Sequence, residues 1–238
     1  AGAPAGYARY MIMQLLFLAL PAQPPAITEV MANPLDEDNA EFIEICNPSP
    51  LPVDLLGYSI TDGDAIAVIE PWDETAYGVF PDTDAVTGST TVPAGGYAVL
   101  LETGYVLAPA YDFPPGTVIL TTGDAALCNG LAAPSDPLTL FDPGGTADSN
   151  AVSTYGTPVP SDIWSERDDD GIDGIPFDPG DGSSVERASP SMPDEEGSWV
   201  VSPPGGTPGA GCGQQGGPDL SCTGVSASQQ QPGPGVPF

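Results

Sequence analysis

The chain has 238 residues, with 33 acidic side chains against three basic ones (Arg9, Arg167 and Arg187) and neither lysine nor histidine, so its formal net charge is −30. No surface of it can neutralise phosphates, which excludes nucleic acid and anionic membranes as partners. The missing residue types also exclude a Ser-His-Asp triad, a His-ligated zinc site and a Lys-based phosphate loop, leaving carboxylate chemistry or hard cations on oxygen ligands.

The acidic excess suits a solvated surface on a secreted, extracellular protein. Hydrophobic residues make up 40 % of the chain, enough for a core, while 30 Gly and 30 Pro point to turns and extended segments.

Residues 1–26 contain the most apolar run, Tyr10 to Leu20, followed by Pro21, Pro24 and Pro25. The run is too short to span a bilayer as a helix, so no membrane span is expected. The prolines make a stiff spacer. One reading is a retained arm whose Met11, Ile12, Leu15, Leu16, Phe17, Leu18 and Leu20 insert into a neighbouring subunit. The other is a signal-peptide remnant.

From Ile27 the chain reads as short strands closed by turn residues, the mark of antiparallel β structure. The strands are expected at Ile27–Pro34, Glu41–Pro48, within Pro52–Asp62, and at Ala65–Glu70, Val92–Leu101, Thr117–Thr121, Pro137–Asp142, Asp148–Tyr155, Ser183–Arg187 and within 196–210. Asp142-Pro143-Gly144-Gly145 is a clear turn. Residues 71–91 form a long loop that Trp72 and Tyr77 are expected to pin in place. No segment carries a sustained 3.6-residue pattern, so no helix is expected.

Residues 211–238 hold two cysteines among Gly, Pro and Gln, with too few apolar residues for a core of their own. The four cysteines, Cys46, Cys128, Cys212 and Cys222, form no C-x-x-C pair. Their even number in an acidic chain suggests two disulfides in an oxidising compartment. Three pairings are open, with Cys212–Cys222 and Cys46–Cys128 favoured because the first closes a short Gly-rich loop.

The sharpest chemical cluster is the acidic loop containing Asp168, Asp170 and Asp173, extended by Asp178 and Asp181. Alternate carboxylates around a Gly turn suit a structural Ca2+, although no Glu closes the loop as in an EF-hand. Asp36, Glu37 and Asp38 are a weaker candidate that a plain turn explains. No carboxyl is visibly set in apolar surroundings, so no acid–base pair is expected, no catalytic residue is assigned and no cofactor is required.

Ile27–Pro34, Glu41–Pro48 and Pro52–Asp62, the Ala94-Gly95-Gly96-Tyr97 strand start, Gly182-Ser-Ser-Val-Glu-Arg187, Trp199 and Gly206-Thr-Pro-Gly209 occur in an order that resembles the bacterial lamin-tail domains. Tyr58 and Phe42 stand where that family commonly has Trp, and the loops at 71–91 and 102–116 are long. The resemblance implies an all-β, immunoglobulin-like β-sandwich over residues 27–210, between an N-terminal arm (1–26) and a Gly/Pro-rich tail (211–238). It also implies an adhesive, surface or accessory module rather than an enzyme.

The combined expectation is a self-assembling surface filament, a head-to-tail homo-oligomer built by strand addition. The alternative is a monomeric, calcium-stabilised adhesion module. A surface carbohydrate is a candidate ligand for either.

Overall fold

The computed structural model describes residues 23–35, 39–132, 136–156 and 175–211. In chain order the strands are β1 (Ala26–Met31), β2 (Phe42–Cys46), β3 (Val53–Asp54), β4 (Ser59–Thr61), β5 (Ile66–Val68), β6 (Glu70–Pro71), β7 (Thr91–Val92), β8 (Tyr97–Leu101), β9 (Val118–Thr121), β10 (Leu138–Phe141), β11 (Ala151–Tyr155), β12 (Val185–Arg187) and β13 (Trp199–Val201). A seven-stranded sheet runs β13-β12-β1-β2-β8-β9-β6, and a four-stranded sheet runs β11-β10-β4-β5. β3 and β7 form a separate pair. This is an immunoglobulin-like β-sandwich.

The core between the sheets follows from alternation along each strand. Ile43 and Ile45 of β2, Ala98 and Leu100 of β8, and Val118 and Leu120 of β9 face Ile60, Leu138, Leu140 and Tyr155 of the smaller sheet. Each fully buried side chain of this size contributes about 1.5–3 kcal/mol. Consecutive strands sit on either side of a turn, as the sequence anticipates. After β10, for instance, the Asp142 carboxylate accepts from the Gly144 N–H at 2.8 Å.

The larger sheet is also covered on its outer face. Met31, Phe42, Val99, Leu101 and Ile119 point there and pack against Trp72, Phe80, Tyr105 and Phe113. Those four come from residues 71–91 and 102–116, the two long loops. Trp72 is fully buried and its Nε1–H donates to the Gly78 carbonyl at 3.0 Å. β8 and β9 pair in parallel, so the chain must cross over between them, and residues 102–117 make that crossing.

Because both faces are buried, Phe42 to Cys46 reads as a nearly continuous apolar run rather than a clean alternation. Pro71 is accommodated because β6 is an edge strand.

Among the described residues one short α-helix, α1 (Glu74–Tyr77), stands where no helix was expected. Asp73 caps it, accepting from the Thr75 N–H at 2.8 Å, and Gly78 at φ +96° ends it. A single capped turn is too brief to leave a periodic signal. Among the described residues no helix is long and apolar enough to cross a membrane.

Candidate functional site

Three glutamates occupy the centres of adjacent strands. Ile43 and Ile45 point into the core, so Glu44 between them points to the outer face. Val30 and Val185 do the same for Glu29 and Glu186. Glu29 lies opposite both Glu44 of β2 and Glu186 of β12, so the three carboxylates form a row across β12-β1-β2. A register shift in β1 between Ile27 and Glu29 makes Thr28 an extra residue. This bulge re-aims Thr28, whose hydroxyl donates to Glu44 Oε1 at 2.5 Å.

On a one-sided sheet this row would be wet. Here the chain after β13 folds back across it. The Thr207 N–H donates to Glu29 Oε1 at 2.8 Å and the Thr207 hydroxyl to Glu29 Oε2 at 3.2 Å. The Gly209 N–H donates to Glu44 Oε2 at 2.7 Å, and the Ser184 hydroxyl donates to Glu29 Oε1. Gly206 makes the approach possible. It sits at φ +71°, and a Cβ there would stand 2.8 Å from Glu29 Oε1 and 2.9 Å from Phe42 Cζ.

Glu29 and Glu44 are fully buried and Glu186 is 2 % exposed. Glu186 Oε1 has no hydrogen-bond partner among the described residues.

Burial sets the electrostatics. Desolvation pushes Glu29 and Glu186 up to about 7, and it raises Glu44 well above the ordinary 4.5, with Glu29 adding repulsion. Among the described residues no cation offsets them. The only described arginine, Arg187, is committed elsewhere, donating to the carbonyls of Met192 (2.8 Å) and Thr154 (2.6 Å) and lying 4.5 Å over the Trp199 ring. Trp199 in turn donates to Asp194 Oδ1 at 2.8 Å and packs edge-on against Tyr155 at 4.8 Å.

A second carboxyl group lies at the end of the sandwich where β2 begins. Glu41 accepts from the Leu131 N–H at 3.3 Å. Burial pushes it up to about 8, with Glu102 and Asp136 adding repulsion.

These raised carboxyls correct the expectation that none lies in apolar surroundings. Each Glu resembles an ordinary solvent-side residue of its own strand. The available signal was a charge between two core residues, as in Ile43-Glu44-Ile45, together with the closing motif that supplies Ser184, Thr207 and Gly209. Chemically the row is a latch: Glu29 and Glu44 accept from Thr207 and Gly209 and so hold the closing segment across the sheet.

Of the calcium ligands expected from sequence, Asp178 and Asp181 are described. Asp178 Oδ1 accepts from the Gly180 N–H at 2.8 Å and Asp181 Oδ1 from the Asn33 amide at 3.0 Å. Among the described residues no group of three acidic or sulfur side chains is arranged to hold a metal. Asp168, Asp170, Asp173, residues 36–38, the arm residues 11–20, Cys212 and Cys222 lie outside the described residues.

The favoured Cys46–Cys128 pairing needs correction, since the two are not bonded to each other. Cys46 ends β2. Cys128 sits at the other end of that strand, its thiol 3.8 Å from the Ile60 carbonyl and facing Asp62, Asp136 and Glu41. The length of β2 separates them by roughly 15 Å at strand rise, about twice what a disulfide spans.

The sandwich, the long-loop roof over its outer face and the latched closing segment define an immunoglobulin-like module. The family model of the Lamin Tail Domain matches residues 21–158, and the chain belongs to that family. Domains of this family are in general non-catalytic. The match ends before β12, although β12 and β13 complete the same sheet. Neither a curated protein nor a solved structure matches the chain.

Proposed function

We propose that the chain is a structural subunit of an extracellular filament, in which the apolar arm Tyr10–Leu20 of one copy adds as a strand to the sheet edge of the next. The observation that carries this reading is the edge at β5, which no other strand pairs among the described residues. Ile66 and Val68 are exposed there, 37 % and 58 %, on either side of the buried Ala67. Soluble proteins usually guard an edge strand with Lys, Pro or an inward-pointing charge, and β5 carries none of these. A nearly continuous apolar arm pairs with such an edge through its main chain and covers the exposed side chains with its own. The contact is heterologous and does not close, so it propagates.

Removing residues 1–20 is expected to abolish assembly and leave folded monomers, read by negative-stain microscopy and sedimentation. Val68→Lys in the full chain is expected to do the same while leaving the melt unchanged. Filaments from the truncated chain would refute the arm. A full chain that stays monomeric, with a melt raised by millimolar calcium, would replace the filament with a calcium-stabilised module.

A further inference from the structure

A cavity of about 290 Å³ opens at the end of the sandwich where β1 begins. Gln23 and Pro24 ahead of β1, Ser153 and Thr154 of β11, Arg187 of β12 and Pro190 in the following turn line it. The two sheets meet here. The Ile27 N–H of β1 donates to Ser153 Oγ at 2.9 Å, and the Thr154 carbonyl accepts from Arg187 Nη2.

Arg187 is the only cationic side chain among the described residues of a chain whose net charge is −30. It is 5 % exposed, and its Nε–H has no acceptor among the described residues. A buried donor without an acceptor costs free energy. The Trp199 ring and the carbonyls of Met192 and Thr154 fix the guanidinium plane, so it is held in place before any ligand arrives.

A carboxylate is the planar acceptor that matches a guanidinium. Asp194 also lines the cavity, and its charge reaches Arg187, which disfavours a dianion such as phosphate. Gln23, Ser153 and Thr154 provide polar groups for hydroxyls. Pro24 and Pro190 provide apolar surface for the C–H face of a ring. The volume suits one small ring, at the lower end of ligand-site sizes.

We propose that this cavity binds a uronic acid unit of an acidic glycan, its carboxylate on Arg187 and its ring against Pro24 and Pro190. A neutral sugar leaves the Nε–H unpaired, and a simple carboxylate leaves the ring surface unused. The site belongs to the end bounded by β11, the edge of the smaller sheet opposite β5, so it is independent of strand addition there.

Saturation-transfer difference NMR on the full chain tests this, because it observes the ligand and works on monomer or filament alike. Glucuronate and galacturonate are the probes. At least one is expected to give saturable ring-proton signals with Kd of about 1 mM, reasonable for a ligand of this size. Glucose and acetate, each carrying half of the chemistry, are expected to bind at least about tenfold more weakly. Arg187→Lys keeps the charge without the fork and is expected to weaken uronate binding about tenfold. Ser191 lines the cavity and is exposed, so Ser191→Glu is expected to leave the melt unchanged while its carboxylate abolishes binding. The site is overturned if neither uronate binds, if glucose or acetate binds as tightly, or if Ser191→Glu binds uronate like the parent.

Discussion

Gly206→Ala is expected to destabilise the domain by about 3 kcal/mol, with the urea midpoint shifted and the slope unchanged. Two costs combine. A side chain in the left-handed region costs about 1–2 kcal/mol. The new Cβ would also meet Glu29 Oε1 at 2.8 Å and Phe42 Cζ at 2.9 Å. Neither neighbour can retreat easily, because Glu29 is held by Thr207 and Ser184, and Phe42 packs at 5.1 Å against Tyr111. Overpacking of this kind typically adds about 1–3 kcal/mol.

Gly205 supplies the control. It has φ +90°, but a Cβ there would meet nothing within 4 Å, so Gly205→Ala carries the backbone cost alone. If the two variants lose equal stability, the closing segment does not press on the glutamate row, and the latch is not a stabilising element.

The strands were legible in the sequence because turn chemistry brackets them. Asp142-Pro143-Gly144-Gly145 marks the β10–β11 hairpin, and the Gly95-Gly96 turn marks the start of β8. The second layer over the large sheet was not legible. Trp72, Phe80, Tyr105 and Phe113 are scattered through two segments that read as loops, and nothing local says they converge on Phe42 and Val99.

The glutamate row was hidden for a related reason. Sequence periodicity assigns a residue to one face of a sheet but does not say whether that face is wet. Glu29, Glu44 and Glu186 were on the side normally given to solvent, and only the return of residues 206–209 across them makes that side interior. The family resemblance noted Gly182–Arg187 and Gly206–Gly209 as a closing signature. The structure gives the physical reason they occur together: one supplies Ser184 and Glu186 to the row, the other the backbone N–H groups that cap it.

The second large effect is a reversal of the usual pH dependence. A carboxylate that accepts hydrogen bonds normally has a lowered pKa and stabilises the fold as pH rises. Here desolvation outweighs the bonds from Ser184 and Thr207, and Glu29 titrates at about 7 against an ordinary 4.5. Glu186 is also pushed to about 7, and Glu41 to about 8.

The native state therefore binds more protons than the unfolded state between pH 4.5 and about 8, so stability must fall with pH across that window. The contribution is fully present below pH 4.5 and lost as pH rises through the folded values. The melting temperature is accordingly expected to be highest near pH 4.5 and to fall by roughly 10 °C or more by pH 8, at about 1.4 kcal/mol for each tenfold of proton affinity.

Glu44→Gln isolates the row. Glutamine keeps one acceptor for the Gly209 N–H and removes the charge that Glu29 and Glu186 oppose. The variant is expected to melt above the parent at pH 8, to lose that advantage at pH 4.5, and to show a shallower slope between. A parent melt that is flat or rising from pH 5 to 8, or a Glu44→Gln curve parallel to it, would show that the row is solvated and paired, and that the closing segment is not a proton-dependent latch.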